Sequence, residues 1–520
     1  MGNIENISIT QQCYIYPSGG CAEICVNILK DCLENVEFIM LDDKEEATSL
    51  EAHKDKIVSS GDYLLICAGD VQEELEEKCR QYGISNAING RVYTALKLAK
   101  NIREQIQTQK KKFEFLENGR VLHILENPWI THLYYFWNLF AYYLKDYDFK
   151  PLKKAALAYC ESMRLQEFLK VQQGLLVGCP MYTKVETALR GEKNTTIYCE
   201  NFEYYLRISD QSKTNNTQVL VCHWVLLDYF INKTVFFTGG GLLFNFAKRK
   251  EKVIKVSSGH SLCQAFYLAP KRLKLKNLKR YVENYFFGLD YYLAIDKVSK
   301  KAFEVMFEEC GVKTKVLEAG SLSLDSRDIC VKDKVESFMF IPRLNGKECI
   351  MVIRKLLELG KKVIFRPHPA TLRHAKQHGI AAYAYLEDVL EYENFIIDDT
   401  EQINQETLAK SIVVTDNSSL SYSAPLSTLR PCVLYAPPKK EFDLRVQNFG
   451  ISFANPILHR VALNADECVK TLLQLESELS RGGAFLREEI LKYREMNLYN
   501  IGHSKEAIAG ILKDIMNDKI

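Results

Sequence analysis

Short apolar runs, each ended by a glycine, proline or acidic turn, recur along the chain, and stretches of helical period lie between many of them. Such runs predict strands buried on both faces, and their alternation with helices predicts parallel sheets with ligands at the carboxyl ends of the strands. Within residues 1–105, strands are expected over Gln12–Tyr16, 36–41 and 62–67. A helix follows the turn Pro17-Ser18-Gly19-Gly20 as far as Leu33, and another follows Gly69. The polar run 104–112 (EQIQTQKKK) has charge and no apolar period, and reads as a linker. A fresh series has strands at 121–125, 219–224, 234–238, 253–257, 292–296 and 315–319, with an aromatic helix after the first. A last series has strands at Ser337–Ile341, 362–366, 394–397, 412–415 and Cys432–Tyr435, with helices at 347–359 and 405–410. The expected class is α/β: a small domain over 1–105, then two larger domains over 113–325 and 326–520 that face a cleft.

A length of 520 residues suits several domains with sizeable cores. Apolar residues make up 47% and charged residues 26%, with 26 Gly and 13 Pro, which excludes collagenous, mucin-like and wholly disordered chains. Lys+Arg 68 stand against Asp+Glu 66, so there is no global electrostatic case for nucleic acid and none is expected as a partner. The 16 cysteines are scattered without CxxC pairs, and the N-terminus lacks the basic-then-apolar order of a secretory leader, so reduced thiols in the cytoplasm are expected. The longest uncharged aromatic stretch, 130–144 (ITHLYYFWNLFAYYL), carries Thr131, His132 and Asn138 and is shorter than the ~20 apolar residues that span a bilayer, so it reads as a buried helix.

The turn after the first strand, with the helix, second strand and Asp42-Asp43 that follow, has the outline of a mononucleotide-binding unit. It looks like the small Rossmann-type domains that precede some sugar-modifying enzymes. It lacks full GxGxxG spacing, and a tight turn with two glycines reads equally well. More informative is Val363-Ile-Phe-Arg366-Pro367-His368-Pro369, where an apolar strand runs into an arginine and a histidine held extended by prolines. Arg366 offers a planar fork for phosphate oxygens, and His368 a donor that can carry a proton. A strand-terminal histidine can also simply cap local carbonyls. Further on, Thr415-Asp416-Asn417-Ser418-Ser419 joins a strand to a short helix, which presents hydroxyls and free backbone N–H groups at a helix N-terminus. The helix dipole favours an anion such as a diphosphate there by ~0.3–1 kcal/mol. Read alone, Asp416 and Ser418 are ordinary helix caps.

Three other features are candidates. Gly239-Gly240-Gly241 follows an apolar strand and either lets an acceptor or phosphate approach the backbone or simply makes a tight turn. His260 and Glu126 each follow a strand end and are candidate bases for an acceptor hydroxyl, Glu126 being equally a helix cap. Between Lys248 and Arg280 there are 11 Lys/Arg against the single acid Glu251, with Leu273, Leu275 and Leu278 interleaved, so this segment suits an anionic membrane or glycan, or is a solvated face. The ten histidines lack HxH spacing, and at the strand ends only Asp398-Asp399 approaches an acidic metal motif, so no metal and no cofactor is expected.

Together, RPHP and TDNSS resemble the C-terminal domain of the CDP-glycerol glycerophosphotransferase family, the teichoic-acid and capsule polymerases of the two-domain GT-B architecture. Leu429-Arg430-Pro431 followed by Cys432–Tyr435 continues the match. Looser matches are Gly320-Ser-Leu-Ser-Leu-Asp325, which keeps only the Gly and Asp of the family's G-x-P-R-x-D, and Gly502-His503-Ser504 before the last helix. The family's W-H-G is replaced by Ser257-Ser258-Gly259-His260-Ser261, and Ser423 stands where it has a second acid. The resemblance, from Phe113 to the C-terminus, implies a GT-B pair of Rossmann-type domains behind the small first domain. It also implies a cytoplasmic transferase, possible at the inner membrane face, that moves a sugar or polyol phosphate from a nucleotide-activated donor to a glycan or lipid-linked acceptor. Arg366, His368, Ser418 and Ser419 then bind the diphosphate, Asp416 orders the turn, and His260 or Glu126 deprotonates the acceptor. A non-hydrolysing nucleotide-sugar epimerase and a non-catalytic nucleotide-sugar scaffold are the alternatives.

Overall fold

The computed structural model describes residues 7–108 and 289–520, apart from 69–70, 326–328, 343–346, 348, 369–383, 401–402, 417, 436–446, 449–450 and 453. Elsewhere it describes 4, 113–116, 121–124, 132, 151–152, 154–155, 158, 175–178, 195–199, 218–221, 235–239, 254–258, 282 and 286. The chain divides into two compact units, Met1–Val256 with Asn284–Leu289, and Ser257–Glu283 with Asp290–Ile520.

The first unit opens with a parallel sheet of β1 (Gln12–Tyr16), β2 (Glu37–Met40), β3 (Tyr63–Ile66) and β4 (Ala87–Asn89), in the order β2-β1-β3-β4. Helices α1 (Gly20–Cys32), α2 (Leu50–Ser60) and α3 (Gln72–Gln81) connect the strands, and α4 (Gly90–Thr108) follows them. Tyr14, Tyr16, Leu64 and Ile66 are buried with Leu41, Leu50, Ile57 and Cys79, each large apolar side chain contributing ~1.5–3 kcal/mol relative to exposure. Gly90 is required where α4 starts, because a Cβ there would lie 2.4 Å from Cys67 Sγ and 2.9 Å from Leu65 Cβ.

The sequence reading did not include the strands Phe113–Leu116, Leu175–Gly178 and Thr195–Cys199 further along this unit, and three elements near its start also differ. Helix α2 buries only Leu50 and Ile57, too few to show a period, and β4 has three residues. Helix α4 runs to Thr108, through the first part of the expected linker, since Arg103, Glu104, Gln105 and Gln107 are good helix formers that need no apolar face.

The middle strands are β5 (Phe113–Leu116), β6 (Val121–Ile124), β7 (Leu175–Gly178), β8 (Thr195–Cys199), β9 (Gln218–Val221), β10 (Val235–Gly239) and β11 (Ile254–Ser258). In the first unit they run β10-β7-β8-β9-β6-β5, parallel except for the antiparallel edge pair β5/β6. The expected aromatic helix falls on residues that, His132 apart, lie outside the described ones.

In the second unit β12 (Tyr291–Ala294) and β13 (Lys315–Glu318) pair in parallel around α5 (Lys297–Cys310), whose Phe303 ring stacks 4.0 Å from that of Tyr292. A six-stranded sheet follows, made of β14 (Ser337–Ile341), β15 (Val363–Phe365), β16 (Phe395–Ile397), β17 (Ser411–Thr415), β18 (Cys432–Tyr435) and β19 (His459–Ala462). All its pairings are parallel, in the order β16-β15-β14-β17-β18-β19. Helices α6 (Ile350–Glu358) and α8 (Ala465–Ser480) bury one apolar stripe each, Val352, Ile353, Leu356 and Leu357 on the first and Cys468, Leu472, Leu475 and Leu479 on the second. Between them in sequence, α7 (Leu420–Thr428) is buried on nearly every side. The chain closes with α9 (Ala484–Asn497) and α10 (Ser504–Met516). The fold is thus of the expected α/β class with parallel sheets.

Candidate functional site

In chain order the strands of the six-stranded sheet lie third, second, first, fourth, fifth and sixth, so the direction of winding reverses between β14 and β17. Loops at the carboxyl ends of the strands diverge at such a reversal and leave a crevice for a ligand. The two strands are in register to their last residues, Ile341 opposite Thr415, and Thr415 Oγ1 donates to the Ile341 carbonyl at 2.8 Å. Asp416, Ser418 and Ser419 therefore leave the sheet at the reversal. Strand β15 ends with Phe365 opposite Phe340, which brings Arg366 and His368 to the same edge.

Ser418 and Ser419 lead into α7 with both side chains half-buried. The expectation of free backbone N–H groups here is corrected. Leu420 N–H donates to Ser418 Oγ at 3.3 Å, Ser421 N–H to the Ser418 carbonyl at 3.0 Å and Tyr422 N–H to the Ser419 carbonyl at 3.1 Å. A tight turn thus satisfies the first-turn donors locally. Ser418 Oγ accepts a bond and keeps its proton to give, and Ser419 caps the helix without a side-chain bond. Asp416 is buried directly behind the turn.

Arg366 differs from a fork held open to phosphate. It is 5% exposed; Nη1 donates to Asp398 Oδ2 at 2.8 Å and to Thr400 Oγ1 at 3.0 Å, and Nη2 to the Thr400 carbonyl at 2.7 Å. Burial raises the Asp398 carboxyl, but hydrogen bonds from Thr400 and Arg366 outweigh it and hold the group below the usual range. Arg366 N–H also donates to the Phe340 carbonyl at 2.8 Å, so this residue ties the end of β15 to β14 through its backbone and to the loop after β16 through its side chain. That tether, with the restricted backbone of Pro367, sets the path of the half-buried His368.

The two looser motif matches meet each other away from this edge. Asp325 Oδ1 accepts from Gly502 N–H at 2.8 Å and Oδ2 from Ser504 N–H at 2.7 Å, capping α10. Gly320 has φ +107, and a Cβ there would stand 2.6 Å from the Tyr499 carbonyl oxygen. The retained Gly and Asp thus join the chain after β13 to the last helix. One residue at the site escaped the sequence reading: His459, 3% exposed on β19, donates from Nε2 to the Ser421 carbonyl at 3.0 Å and accepts at Nδ1 from Asn455 N–H at 2.8 Å. Burial pushes its pKa down to about 3, so it stays neutral. A lone histidine on a short strand gives no sequence signal.

At the carboxyl edge of the four-stranded sheet the polar groups bond to one another. Ser18 Oγ donates to Asp42, Tyr16 OH donates to Asp43, and Lys78 Nζ reaches Asp43 at 2.5 Å and Tyr16 OH at 3.2 Å. Burial and the bond to Asp43 push the Tyr16 phenol up to about 12. Gly19 and Gly20 open α1 with clear space above them.

Glu126, His260, Gly240 and Gly241 lie outside the described residues, as does the stretch from Lys248 to Arg280 apart from β11, and Gly239 is the last residue of β10. Among the described residues no three His, Cys, Asp or Glu side chains gather to hold a metal ion, and no helix is long and apolar enough to cross a membrane.

No protein-family model and no curated protein matches the chain, so membership of the glycerophosphotransferase family stays a resemblance carried by RPHP and TDNSS. Among solved structures the chain is similar to a variant of the wall teichoic acid polymerase TagF, at 11% identity over 71% of this chain and 94% of that one, with a TM-score of 0.48. It is also similar to Alr3699/HepE of Anabaena in complex with UDP and glucose, at 10% identity over 66% of this chain and 99% of that one, TM-score 0.43. A third is UDP-N-acetylglucosamine 2-epimerase from Rickettsia bellii, at 10% identity over 62% and 95%, TM-score 0.36. At these identities and scores none of the three assigns a family or an activity.

Proposed function

We propose that the protein is a GT-B-type transferase that takes a sugar or polyol phosphate from a nucleotide-activated donor, either a nucleotide sugar or a CDP-glycerol-like compound. The acceptor is a bacterial-type surface glycan, such as capsule, teichoic acid or lipopolysaccharide, or its lipid-linked precursor. One observation carries this reading: the segment Asp416 to Ser419 leaves β17 at the strand-order reversal, with two serine hydroxyls and the positive end of α7 behind them. Ser418 and Ser419 donate to the diphosphate, and His368, from the end of β15, supplies a donor able to carry charge. Such groups stabilise the negative charge that grows on the leaving nucleotide as its bond to the transferred group breaks, a nucleoside diphosphate when a sugar leaves a nucleotide-diphosphate sugar and a nucleoside monophosphate when a polyol phosphate leaves a CDP-glycerol-like donor. Asp416 orders the turn and Arg366 positions the His368 segment. The acceptor hydroxyl loses its proton to His260 or Glu126 as its oxygen attacks, and Gly239-Gly240-Gly241 gives the acceptor room. The basic stretch between Lys248 and Arg280 meets an anionic membrane or glycan, which accords with work at the inner membrane face.

The test is incubation of the full chain with labelled CDP-glycerol, UDP-sugars and CMP-sugars in turn, with acceptor glycan present. Release of the nucleotide with label in the glycan is the expected result. Isomerised donor would mean an epimerase instead, and binding without turnover of any donor a scaffold.

A further inference from the structure

The turn that carries Ser418 and Ser419 is fastened from outside its own motif, and the fastening depends on a proline inside a helix. In α7 the carbonyl of Ser421 should accept from the N–H of residue 425. Residue 425 is proline, which has no N–H and whose ring crowds the carbonyl four residues before it. The Ser421 carbonyl is therefore left without its helical partner in a buried position, where an unmet acceptor is costly. Two donors from neighbouring strands reach it, His459 Nε2 at 3.0 Å from β19 and, more weakly, Cys432 Sγ at 3.3 Å from β18. The tautomer of His459 is set from its far side, because Nδ1 accepts from Asn455 N–H and leaves the proton on Nε2. Its ring also meets Tyr422 edge-on, with centroids 4.7 Å apart. Ser421 in turn grips the turn: its N–H donates to the Ser418 carbonyl at 3.0 Å and its hydroxyl to the same oxygen at 2.7 Å.

We infer that His459 is a positioning residue for the Ser418–Ser419 turn, acting through the Ser421 carbonyl that Pro425 leaves open. The chain runs from β19 through His459 and Ser421 to Ser418, so the hydroxyls that follow β17 take their place from a strand two positions away in the sheet order. The proline frees the carbonyl and the histidine satisfies it; each makes sense only with the other. The inference rests on the proposal that this turn holds a donor diphosphate, and the experiment separates the two.

Four full-length proteins are compared: the parent, His459→Phe, Pro425→Ala, and the double variant. Phe keeps the ring contact with Tyr422 and removes both hydrogen bonds, while Ala restores an N–H that can satisfy Ser421 from within the helix. The readouts are affinity for uridine diphosphate and cytidine diphosphate by calorimetry, and amide hydrogen exchange across residues 418–423. His459→Phe is expected to weaken the better-bound nucleotide about tenfold and to speed exchange in the turn. Pro425→Ala is expected to reverse most of both changes in the double variant while altering the parent little, a coupling that generic stabilisation would not give. A double variant no better than the sum of its singles overturns the inference, as does His459→Phe with parental exchange and affinity. If His459→Phe alone does not fold, recovery of folding in the double variant is the same rescue, and its absence the same refutation. Ser418→Ala with Ser419→Ala serves as the control for the site: if nucleotide affinity is untouched by it while exchange still shows the rescue, the positioning role stands and the diphosphate reading falls.

Discussion

Both the four-stranded and the six-stranded sheet are parallel, reverse their winding once, and send a small-residue turn into a helix at the reversal, yet the hydroxyls of that turn meet different surroundings in each. At the first, Ser18, Asp42, Tyr16, Asp43 and Lys78 answer one another's hydrogen bonds, so the polar groups are partnered before any ligand arrives. At the second, the backbone donors are closed by the turn itself while the hydroxyl proton of Ser418 remains to be given. A shared topology therefore gives two strand-order reversals and does not make their edges equivalent. What distinguishes them is where the acids go: at the first edge the Ser18 and Tyr16 hydroxyls meet Asp42 and Asp43, whereas at the second Asp398 is taken by Arg366 and Thr400 and does not meet the serines.

The largest effect that would sharpen this contrast is in acid. The His459 pKa falls from 6.5 to about 3 on folding, chiefly because burial disfavours the charged ring. The unfolded chain takes up a proton below pH 6.5 that the folded chain refuses until about 3, so stability is lost as pH falls through that window, by up to about 5 kcal/mol at its lower end. Hydrogen exchange in β17 to β19 should accelerate across it, and His459→Gln should flatten the response; an unchanged slope in that variant would assign the acid sensitivity elsewhere.

Next comes the pair Ser418→Ala and Ser419→Ala. Hydrogen bonds to a charged ligand are worth ~1.5–3 kcal/mol, so nucleoside diphosphate affinity should drop about 10- to 100-fold, whereas Ser18→Ala at the other edge should leave it alone. Calorimetric titration of the three variants decides the matter, and an equal loss from Ser18→Ala would break the comparison.

Smaller again is Gly90→Ala, which forces a methyl against Cys67 Sγ and Leu65 Cβ. A loss of ~1–3 kcal/mol, confined to the four-stranded sheet, is expected in denaturant unfolding followed by local exchange, with nucleotide affinity intact.

The smallest concerns Lys78→Met. Burial raises the Asp43 carboxyl, yet hydrogen bonds from Lys78 and Tyr16 hold it below the ordinary range. Its contribution is present above the unfolded carboxylate value and fades as pH falls through the depressed one. Both side chains are about a third exposed, so solvent screening limits the loss at neutral pH to ~1 kcal/mol or less, with a shallower acid limb in the variant. A larger loss would show that the closed edge is a stability element in its own right.

How much of this was legible beforehand depends on the kind of signal. Strands β1, β14 and β18 coincide with their apolar runs, because a strand covered on both faces must be apolar throughout. Helix α2, with two buried positions, and the tail of α4, with none required, leave no comparable trace. At the site, Arg366 and the two serines stood out by residue type and by their place after a strand. Their roles divided only when Asp398 and Thr400 were found on the guanidinium and Ser418 on the N–H of Leu420.

By itself the sequence determined the α/β class, the parallel character of the sheets and the neighbourhood of most strands, since burial and backbone preference act on contiguous residues and leave periodic marks. Only the tertiary structure decided that Arg366 braces the sheet edge, that the first turn of α7 closes its own donors, that Gly320 and Asp325 serve the last helix, and that His459 fills the place Pro425 leaves empty. Each of those depends on one donor meeting one acceptor within ~3 Å, and partners such as His459 and Ser421, 38 residues apart, meet only once the sheet has brought their strands and helices together.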